Sequence, residues 1–538
     1  MNILLNIFWS IWEVKYILFW LYLWQLKEYH FGRFSDHFRT YKGKKTFFDV
    51  NQIIKLALLA FLFYLPILSM FWESVVVLLY IGEFLIILRA IYKKSFKKPV
   101  FTPKMAFLTM VSFSLLITFS TLILTFEYTS QVRLVLLFDL LTPLTISFIV
   151  ILFQPIFVIL RNNTIIRAKK KLEEIRGQSG LRVIAITGSY GKTTTKEFLY
   201  TILASKYKDK VLKTPKHQNS EVGIAKEILQ NLTPEHQFFI AEIGAYNRGK
   251  VKEVCSFLKP SLGMVTGVNE QHLSLFGSME NLLLAEGGVE LEESLPEDGL
   301  LIVNGDNKYC VNLYKQSEKN KKIYAESNKR IDADIFTEDI TASRSGVSFI
   351  SMDKYGNTHH FFAKVLGKHN VHNLLAAIVA SHNLGMTFEE ISTAYKDIVP
   401  EQAGMTLAEG KHGIHIIDSS YSANPDGVFA DLDYLSLFNQ KKVIVMPSLI
   451  ELGNRSGQIH YKIGKKIAHI CDLAIITTRD QFINIKNGAT DEGMLAKNVV
   501  FCEKPSEIYA MVTLLCKAGD AVLLEGRVPS GLIKLLSV

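Results

Sequence analysis

Cysteine is scarce in this sequence: Cys255, Cys310, Cys471, Cys502 and Cys516 are all that 538 residues contain. Odd in number, scattered and without metal-ligand spacing, they exclude a disulfide framework and offer no zinc pattern, so they read as reduced, buried, intracellular thiols. No Ser-His-Asp or Cys-His constellation stands out, which leaves no covalent nucleophile to build a mechanism on. The N-terminus lacks the basic start and small-residue cleavage site of a signal peptide. An even spread of charge is missing too. Residues 1–161 hold 16 Lys+Arg against 8 Asp+Glu, whereas the remainder holds 44 against 43. The basic balance is thus confined to the first third. The rest shows no basic stripe with interleaved aromatics, which excludes nucleic acid as a partner.

What fills the first third is apolar sequence. A hydrocarbon layer about 30 Å thick takes roughly 20 apolar residues in a helix, and five such runs are present, near 3–26, 56–71 with flanks, 74–91, 105–126 and 134–160. The first is interrupted by Glu13 and Lys15, so an interfacial amphipathic helix is the alternative there. Trp9, Trp12, Trp20 and Trp24 suit an interfacial position. The second and third runs are separated by little more than Trp72-Glu73, which predicts a hairpin with its tip away from the cytoplasm. Basic residues cluster before it (Lys27, Arg33, Arg39, Lys42, Lys44, Lys45), after it (Lys93, Lys94, Lys97, Lys98, Lys104) and beyond the last run (Arg161, Arg167, Lys169, Lys170, Lys171, Arg176). Positive loops stay cytoplasmic, so everything downstream is expected in the cytoplasm of a multi-pass protein of the plasma or inner membrane, with membrane lipids as partners. Glu83 and Asp139 lie inside apolar runs, where an ionised carboxylate needs a polar contact within the bundle or with a lipid-linked substrate.

After a basic helical stretch, Asn162–Gly177, the apolar run 181–186 has the character of a buried parallel strand and leads straight into Thr187-Gly-Ser-Tyr-Gly-Lys-Thr-Thr-Thr-Lys-Glu. A strand, a glycine turn and Lys-Thr opening a helix is the recipe for holding nucleotide phosphates, because backbone N–H groups and the helix N-terminus face the anion. Thr187, Gly188, Ser189, Tyr190, Gly191, Lys192, Thr193 and Thr194 are therefore the candidate ATP-binding residues. Lys192 reaches the β- and γ-phosphates, and Thr193 ligates Mg²⁺. Ile186 stands where the strict G-x-x-x-x-G-K-[ST] pattern has its first glycine, leaving the shorter Thr-Gly-x-x-Gly-Lys-Thr form.

In that form, and in the order of the motifs after it, residues 181–538 resemble the Mur ligases, most closely the members that add D-alanyl-D-alanine. Thr214–Gly223, Phe238–Gly249, Val265–Ser278, Asn304–Asn307, Leu366–Ala377, Ile416–Pro425 and Val443–Gly453 with His460 beyond each resemble a family segment in turn. The resemblance implies a second metal-binding position at Glu242, at the tip of a buried strand where Mg²⁺ finds a hard oxygen donor. It places His272 at a second metal, as a metal-site residue beside the acyl-phosphate, adenine against Asn370 and Asn373, and ribose against Asp418. Where the family carries a carbamylated lysine, eight residues past the serine of Phe-Gly-Ser, this chain has Glu286, which is expected to supply the negative charge directly.

Three departures stand out: Thr406 in place of a phosphate-holding arginine, Ser422 in place of asparagine, and Glu525 in place of lysine, which is expected to reverse a charge. Hydrophobic sequence also stands where the family has its uridine-nucleotide domain, which favours a membrane-held acceptor. The expected fold is an α-helical membrane domain (1–161) and a basic linker (162–180), followed by α/β architecture. That part comprises a central P-loop ATP-binding domain (181–400) and a smaller α/β C-terminal domain (401–538), hinged near 398–404. Implied is an ATP- and Mg²⁺-dependent ligase that joins a carboxylate acceptor, a cell-wall precursor or a lipid-linked one, to an amine such as D-alanyl-D-alanine, with Lys192, Glu242, His272 and Glu286 catalytic. A ligase extending another amino-acid polymer and an inactive ATP-binding scaffold are the alternatives. Lys192→Ala is expected to abolish ATP turnover, measured as phosphate release.

Overall fold

The computed structural model describes residues 2–47, 49–64, 69–92, 96–215, 218–269, 272–327, 331–402, 404–420, 423–529 and 531–537. The chain divides into two compact units, Met1–Asn162 and Asn163–Val538.

The first unit is all helix: α1 (Asn2–Leu26), α2 (Phe31–His37), α3 (Tyr41–Phe47), α4 (Val50–Tyr64), α5 (Ser69–Tyr92), α6 (Pro103–Ile123) and the beginning of α7 (Tyr128–Ser179). Among the described residues, five helical stretches are long and apolar enough to cross a membrane. Trp9, Trp12, Trp20 and Trp24, expected to suit an interfacial position, are buried and pack in one core with Tyr80, Leu108 and Val135. One sequence expectation changes: Trp72 and Glu73 do not form a hairpin tip, because both lie inside α5. Glu73 is buried and accepts a hydrogen bond from Thr129 Oγ1 at 2.6 Å. Helix α4 ends at Tyr64 and α5 begins at Ser69, with 65–68 outside the described residues. Expected basic positions Lys93 and Lys94 also lie outside the described residues.

Residues 163–179 are the end of α7 rather than a separate linker. Ala168, Leu172 and Ile175 recur at helical spacing and are buried in the core of the second unit, while Arg176 donates to the Leu258 carbonyl at 2.6 Å. An apolar stripe hidden among basic residues turns what reads as a connector into a docked helix.

The second unit carries two sheets. The larger contains β1 (Arg182–Thr187), β2 (Val211–Lys213), β3 (Phe238–Glu242), β4 (Leu262–Val265), β5 (Leu300–Asn304), β6 (Asn320–Ala325), β7 (Ile335–Ser343), β8 (Gly346–Asp353) and β9 (Thr358–Ala363). Its order is β2-β3-β1-β4-β5-β6-β7-β8-β9, parallel through β7 and antiparallel at β8 and β9. The strands between Asn320 and Ala363 thus continue the main sheet. Strands β1, β3 and β4 are apolar almost throughout because helices cover both faces. The order reverses at β1, so the crevice at its carboxyl end is where such a sheet binds ligands.

The smaller sheet contains β10 (Thr406–Glu409), β11 (His415–Ser419), β12 (Lys442–Met446), β13 (Leu473–Ile476), β14 (Val499–Phe501) and β15 (Ala521–Glu525), in the order β10-β11-β15-β12-β13-β14. Only β10 runs antiparallel to its neighbour. All five cysteines are free and buried, and burial pushes the Cys255 and Cys310 thiols up to about 12.

Glu525, at the end of β15, is wholly buried. Burial first, and the Asp431 carboxyl beside it second, hold its own carboxyl far above the usual range. Burial thus disfavours its charged form, which works against the charge reversal expected from sequence. Because the folded state keeps a proton that the unfolded chain releases, the group removes stability as pH rises above the normal glutamate range. Glu525→Gln is expected to raise the thermal midpoint at alkaline pH by roughly 2–4 °C, the effect of about 1 kcal/mol in a domain of a few hundred residues, and to flatten the decline of the midpoint with pH.

Candidate active site

The site begins where β1 stops. In parallel register Ile186 lies opposite Glu242 and Thr187 opposite Val265, so three strands deliver their ends to one turn. Gly188 has φ +134° and Gly191 φ +76°. A side chain at Gly188 would collide with Thr266, and one at Gly191 with the Asn373 amide oxygen, so glycine is required by space as well as by dihedral. Ser189 N–H donates to the Gly267 carbonyl at 2.7 Å and Thr266 N–H to the Thr187 carbonyl at 3.1 Å, which pins the turn against the end of β4. Helix α8 (Lys192–Tyr207) starts directly after Gly191. Its first-turn N–H groups have no acceptor within the helix and, with the positive end of the dipole, form an anion cradle. Lys192 Nζ donates to the Gly188 carbonyl, which holds its ammonium over the turn. Gly191, Lys192, Thr193 and Thr194 are half-buried and remain reachable.

Glu242 is nearly enclosed. Its Oε1 accepts from Thr193 Oγ1 at 2.9 Å and from Asn219 Nδ2 at 3.1 Å, and its Oε2 from Lys196 Nζ at 3.0 Å. Burial alone would raise this carboxyl. The charges of Lys196 and Lys192, with the hydrogen bonds from Lys196 and Thr193, outweigh it and hold the group below the usual carboxylate range. Glu242 is therefore an anion beside a hydroxyl, a hard-oxygen pair of the kind Mg²⁺ takes alongside phosphate oxygens and water. These residues fit a Mg²⁺ held by Thr193 and Glu242. Among the described residues no group of three or more His, Cys, Asp or Glu could hold a metal, as suits an ion that keeps much of its water.

A second cluster touches the same turn through Ser189, whose Oγ donates to Glu286 Oε2 at 2.8 Å. The other Glu286 oxygen lies 3.0 Å from His272 Nδ1, and His272 Nε2 lies 3.6 Å from Glu451 Oε2. His272 takes a left-handed backbone, φ +68°, as does Glu451, φ +67°. Two turns in uncommon conformations are thus held facing one another. The structure joins His272 to Glu286, whereas the direct partners of Glu242 are Thr193, Asn219 and Lys196. Gln271 and Glu270 lie outside the described residues.

The remaining expected residues surround this centre. Thr187 is buried, and its hydroxyl meets no donor or acceptor in the protein. Tyr190 turns its hydroxyl toward Asn307 Nδ2 at 3.3 Å, backing the turn rather than reaching over it. Asn373 Oδ1 accepts from Thr195 Oγ1 at 3.2 Å, and its Nδ2 donates to Asn370 Oδ1 at 3.1 Å. The Asn370 amide in turn donates to the Leu366 carbonyl at 2.7 Å. Asn370 is wholly buried, so of the pair it is the one that positions Asn373. Asp418 is half-buried at the end of β11, accepts from Ser420 N–H at 2.9 Å, and lies opposite Thr406 in register. Tyr421 and Ser422 lie outside the described residues. His460 is fully buried, donating from Nδ1 to the Ser456 carbonyl at 2.6 Å and accepting at Nε2 from Leu449 N–H at 2.8 Å, a structural histidine with a fixed tautomer.

Sequence reading passed over four residues that complete the site. Lys196 stands one turn beyond Lys192 on the same helical face, a spacing that could have revealed it. Glu451, and the pair Asn269 and Asp426, joined at 2.8 Å, link segments more than a hundred residues apart. No local signal announces them.

Comparison with known proteins agrees with this geometry. Residues 186–381 match the Mur ligase middle domain, and residues 405–528 match the Mur ligase glutamate ligase domain. The UDP-N-acetylmuramoyl-tripeptide--D-alanyl-D-alanine ligase of Bacillus subtilis is 28% identical over 314 residues, which are 58% of this chain and 65% of that enzyme, just under two thirds of its length. The Escherichia coli enzyme of the same name is 29% identical, over 65% of this chain and 77% of its own. Among solved structures, MurF from Acinetobacter baumannii has the same fold with a TM-score of 0.61 at 23% identity, covering 70% of this chain and 79% of its own. MurF from Thermotoga maritima, in complex with ADP, gives 0.56 at 23% identity, covering 68% and 80%. The two matched domains together take in more than half of the sequence, and through them the chain belongs to the Mur ligase family.

Proposed function

We propose that this protein is an ATP-dependent amide-bond ligase that adds D-alanyl-D-alanine, as its relatives' names describe, to a cell-wall precursor peptide, working at a membrane in which its first unit is embedded with the second unit on the cytoplasmic side. The observation that carries the chemistry is the turn between β1 and α8, with Lys192 over it and the ionised Glu242 bonded to Thr193. A carboxylate and an amine do not condense in water unless one carboxylate oxygen becomes a leaving group. Transfer of the γ-phosphoryl of ATP to that oxygen makes it one, and attack by the amine then releases phosphate. The first-turn N–H groups and Lys192 neutralise charge on the moving phosphoryl. Thr193 and Glu242 would hold a Mg²⁺, which would supply further positive charge there. Asn373 and Asp418 receive the nucleoside.

His272 and Glu286 serve the acceptor side of the turn. Glu286 is buried and bonded to both Ser189 and His272, so it brings fixed negative charge to the position that a carbamylated lysine fills in relatives. The five apolar helical stretches favour an acceptor presented at a membrane, such as a lipid-linked precursor.

Full-length protein in detergent is expected to release phosphate from ATP only when both a peptide-bearing acceptor and D-alanyl-D-alanine are added. Release independent of either, or product formed only with a different amine, would overturn the assignment. Glu286→Gln keeps the shape but turns one of the two accepting oxygens into an N–H donor and removes the charge. It is expected to lower kcat by roughly 10²-fold, the scale of losing one electrostatic group in a closed site, with little change in KM for ATP.

A further inference from the structure

Four charged side chains from four helices meet inside the first unit: Glu13 on α1, Lys55 on α4, Glu83 on α5 and Asp139 on α7, none more than 1% exposed. Lys55 Nζ lies 2.9 Å from Glu83 Oε1 and 2.6 Å from Asp139 Oδ2. It also faces the rings of Trp12 and Tyr80 at 4.5 and 4.9 Å. Asp139 accepts further from Tyr80 OH at 3.1 Å and from Gln52 Nε2 at 3.2 Å. The ammonium is thus committed to Glu83 and Asp139.

Glu13 is left with a hydroxyl in place of a cation. Its Oε2 lies 2.9 Å from Thr142 Oγ1, and its other oxygen, buried as deeply, makes no full hydrogen bond among the described residues, although the Trp9 indole N–H also faces the carboxyl. The same Thr142 hydroxyl lies 2.9 Å from the Phe138 carbonyl, which can only accept. A threonine has one proton to give. With that proton on the carbonyl, the bond between Glu13 and Thr142 requires a hydrogen on the carboxyl. Charge counting agrees. Three carboxylates against one ammonium leave two negative charges in excess in an apolar bundle, and a proton on Glu13, the carboxyl without a cation in contact, removes one of them.

We propose that Glu13 is a proton-binding site: it holds an exchangeable proton in the core of the helical unit, and Lys55, Glu83 and Asp139 form the charged relay that answers when the proton leaves. In the relay step the O–H bond of Glu13 breaks and one forms on Asp139 or Glu83, while the Lys55 ammonium follows the negative charge to Glu13, so the net charge of the cluster is unchanged. The groups facing Glu13 are Asp139 and Thr142 on α7, Lys55 on α4, Tyr80 on α5, and Trp9 and Tyr16 on its own helix α1. Lys15 on α1 lies over Trp12 at 3.9 Å, and α6 brings no charged group past Lys104. Ionisable groups placed in this way mark proton pathways in membrane helices. The coupling role therefore rests on the membrane reading of this unit.

The test uses full-length protein in detergent and dicyclohexylcarbodiimide, which takes the proton of a neutral carboxyl in apolar surroundings and ends as a stable N-acylurea on that carboxyl. Mass mapping is expected to find the label on Glu13 near neutral pH, less of it as pH rises, and none at that position in Glu13→Gln. The Gln variant is expected to melt within about 2 °C of the parent, because its amide N–H donates to Thr142 as the acid O–H does, whereas Glu13→Ala melts several degrees lower. Absence of label on Glu13, or a Gln variant as unstable as the Ala variant, would mean an ionised carboxylate held by Lys55 and would overturn the proposal. Retained ATP-dependent phosphate release in the Gln variant shows that the second unit is folded. The membrane reading fails separately, if alkaline carbonate strips the chain from membranes.

Discussion

Three strand ends converging on a turn with no room for a Cβ is the constraint from which the rest of the second unit follows. Because Gly188 packs against Thr266 and the Gly267 backbone, and Gly191 against Asn373, the ends of β1 and β4 and the helix Asn370–Asn383 cannot shift without filling or opening the same turn. That rigidity is what allows an anion cradle to exist before any anion arrives, and preorganised donors are worth more than donors that must be gathered at the moment of reaction. It also fixes where the counter-charge goes. Glu242 pairs in register with Ile186, so its carboxylate emerges beside the helix start. Lys196 binds that carboxylate, and Lys192 remains over the turn for phosphate.

Buried carboxylates occur in both units, and each is accommodated differently. Glu242 stays ionised because two lysines and a hydroxyl surround it. Glu525 is held above the usual range by burial and by Asp431 beside it. Glu83 and Asp139 divide one lysine between them. The three solutions differ in what they leave for function. An ionised, paired carboxylate can bind a metal, an acid facing another acid is a poor metal ligand, and a shared ammonium can be redistributed. Sequence position alone makes all of them look like negative charges.

The phosphate turn was legible because everything it needs is local: an apolar strand, two glycines, and Lys-Thr at a helix start lie within a dozen residues. The strands at 443–446, 473–477 and 521–524 were legible for the same reason, as short apolar runs between turns, and they reappear as β12, β13 and β15. What escaped is nonlocal. The charge state of Glu525 depends on Asp431, nearly a hundred residues earlier. The tryptophans of α1 carry the composition of an interfacial segment, yet the partners that bury them come from helices downstream. The docking of residues 163–179 was hidden because the side chains that enter the core, Ala168, Leu172 and Ile175, are spread among charged residues.

The domain junction shows how the two sheets of the second unit come to act on one substrate. The loop after β4 carries both Asn269, bonded to Asp426, and His272, which lies between Glu286 of its own domain and Glu451 of the other. A loop anchored in this way on both sides cannot keep all of these contacts if the domains part. In the proposed reaction Asp418 and the phosphate turn hold opposite ends of one nucleotide, so closure around ATP and the placement of His272 become the same event. Glu451 then has a role that its exposed sequence context conceals. It sets a carboxylate from the second domain 3.6 Å from the second nitrogen of His272, so the acceptor side of the turn is built from both domains, as the nucleotide side is in the proposed reaction. A site assembled from both domains shields an activated carboxylate from water, where hydrolysis would compete with the amine.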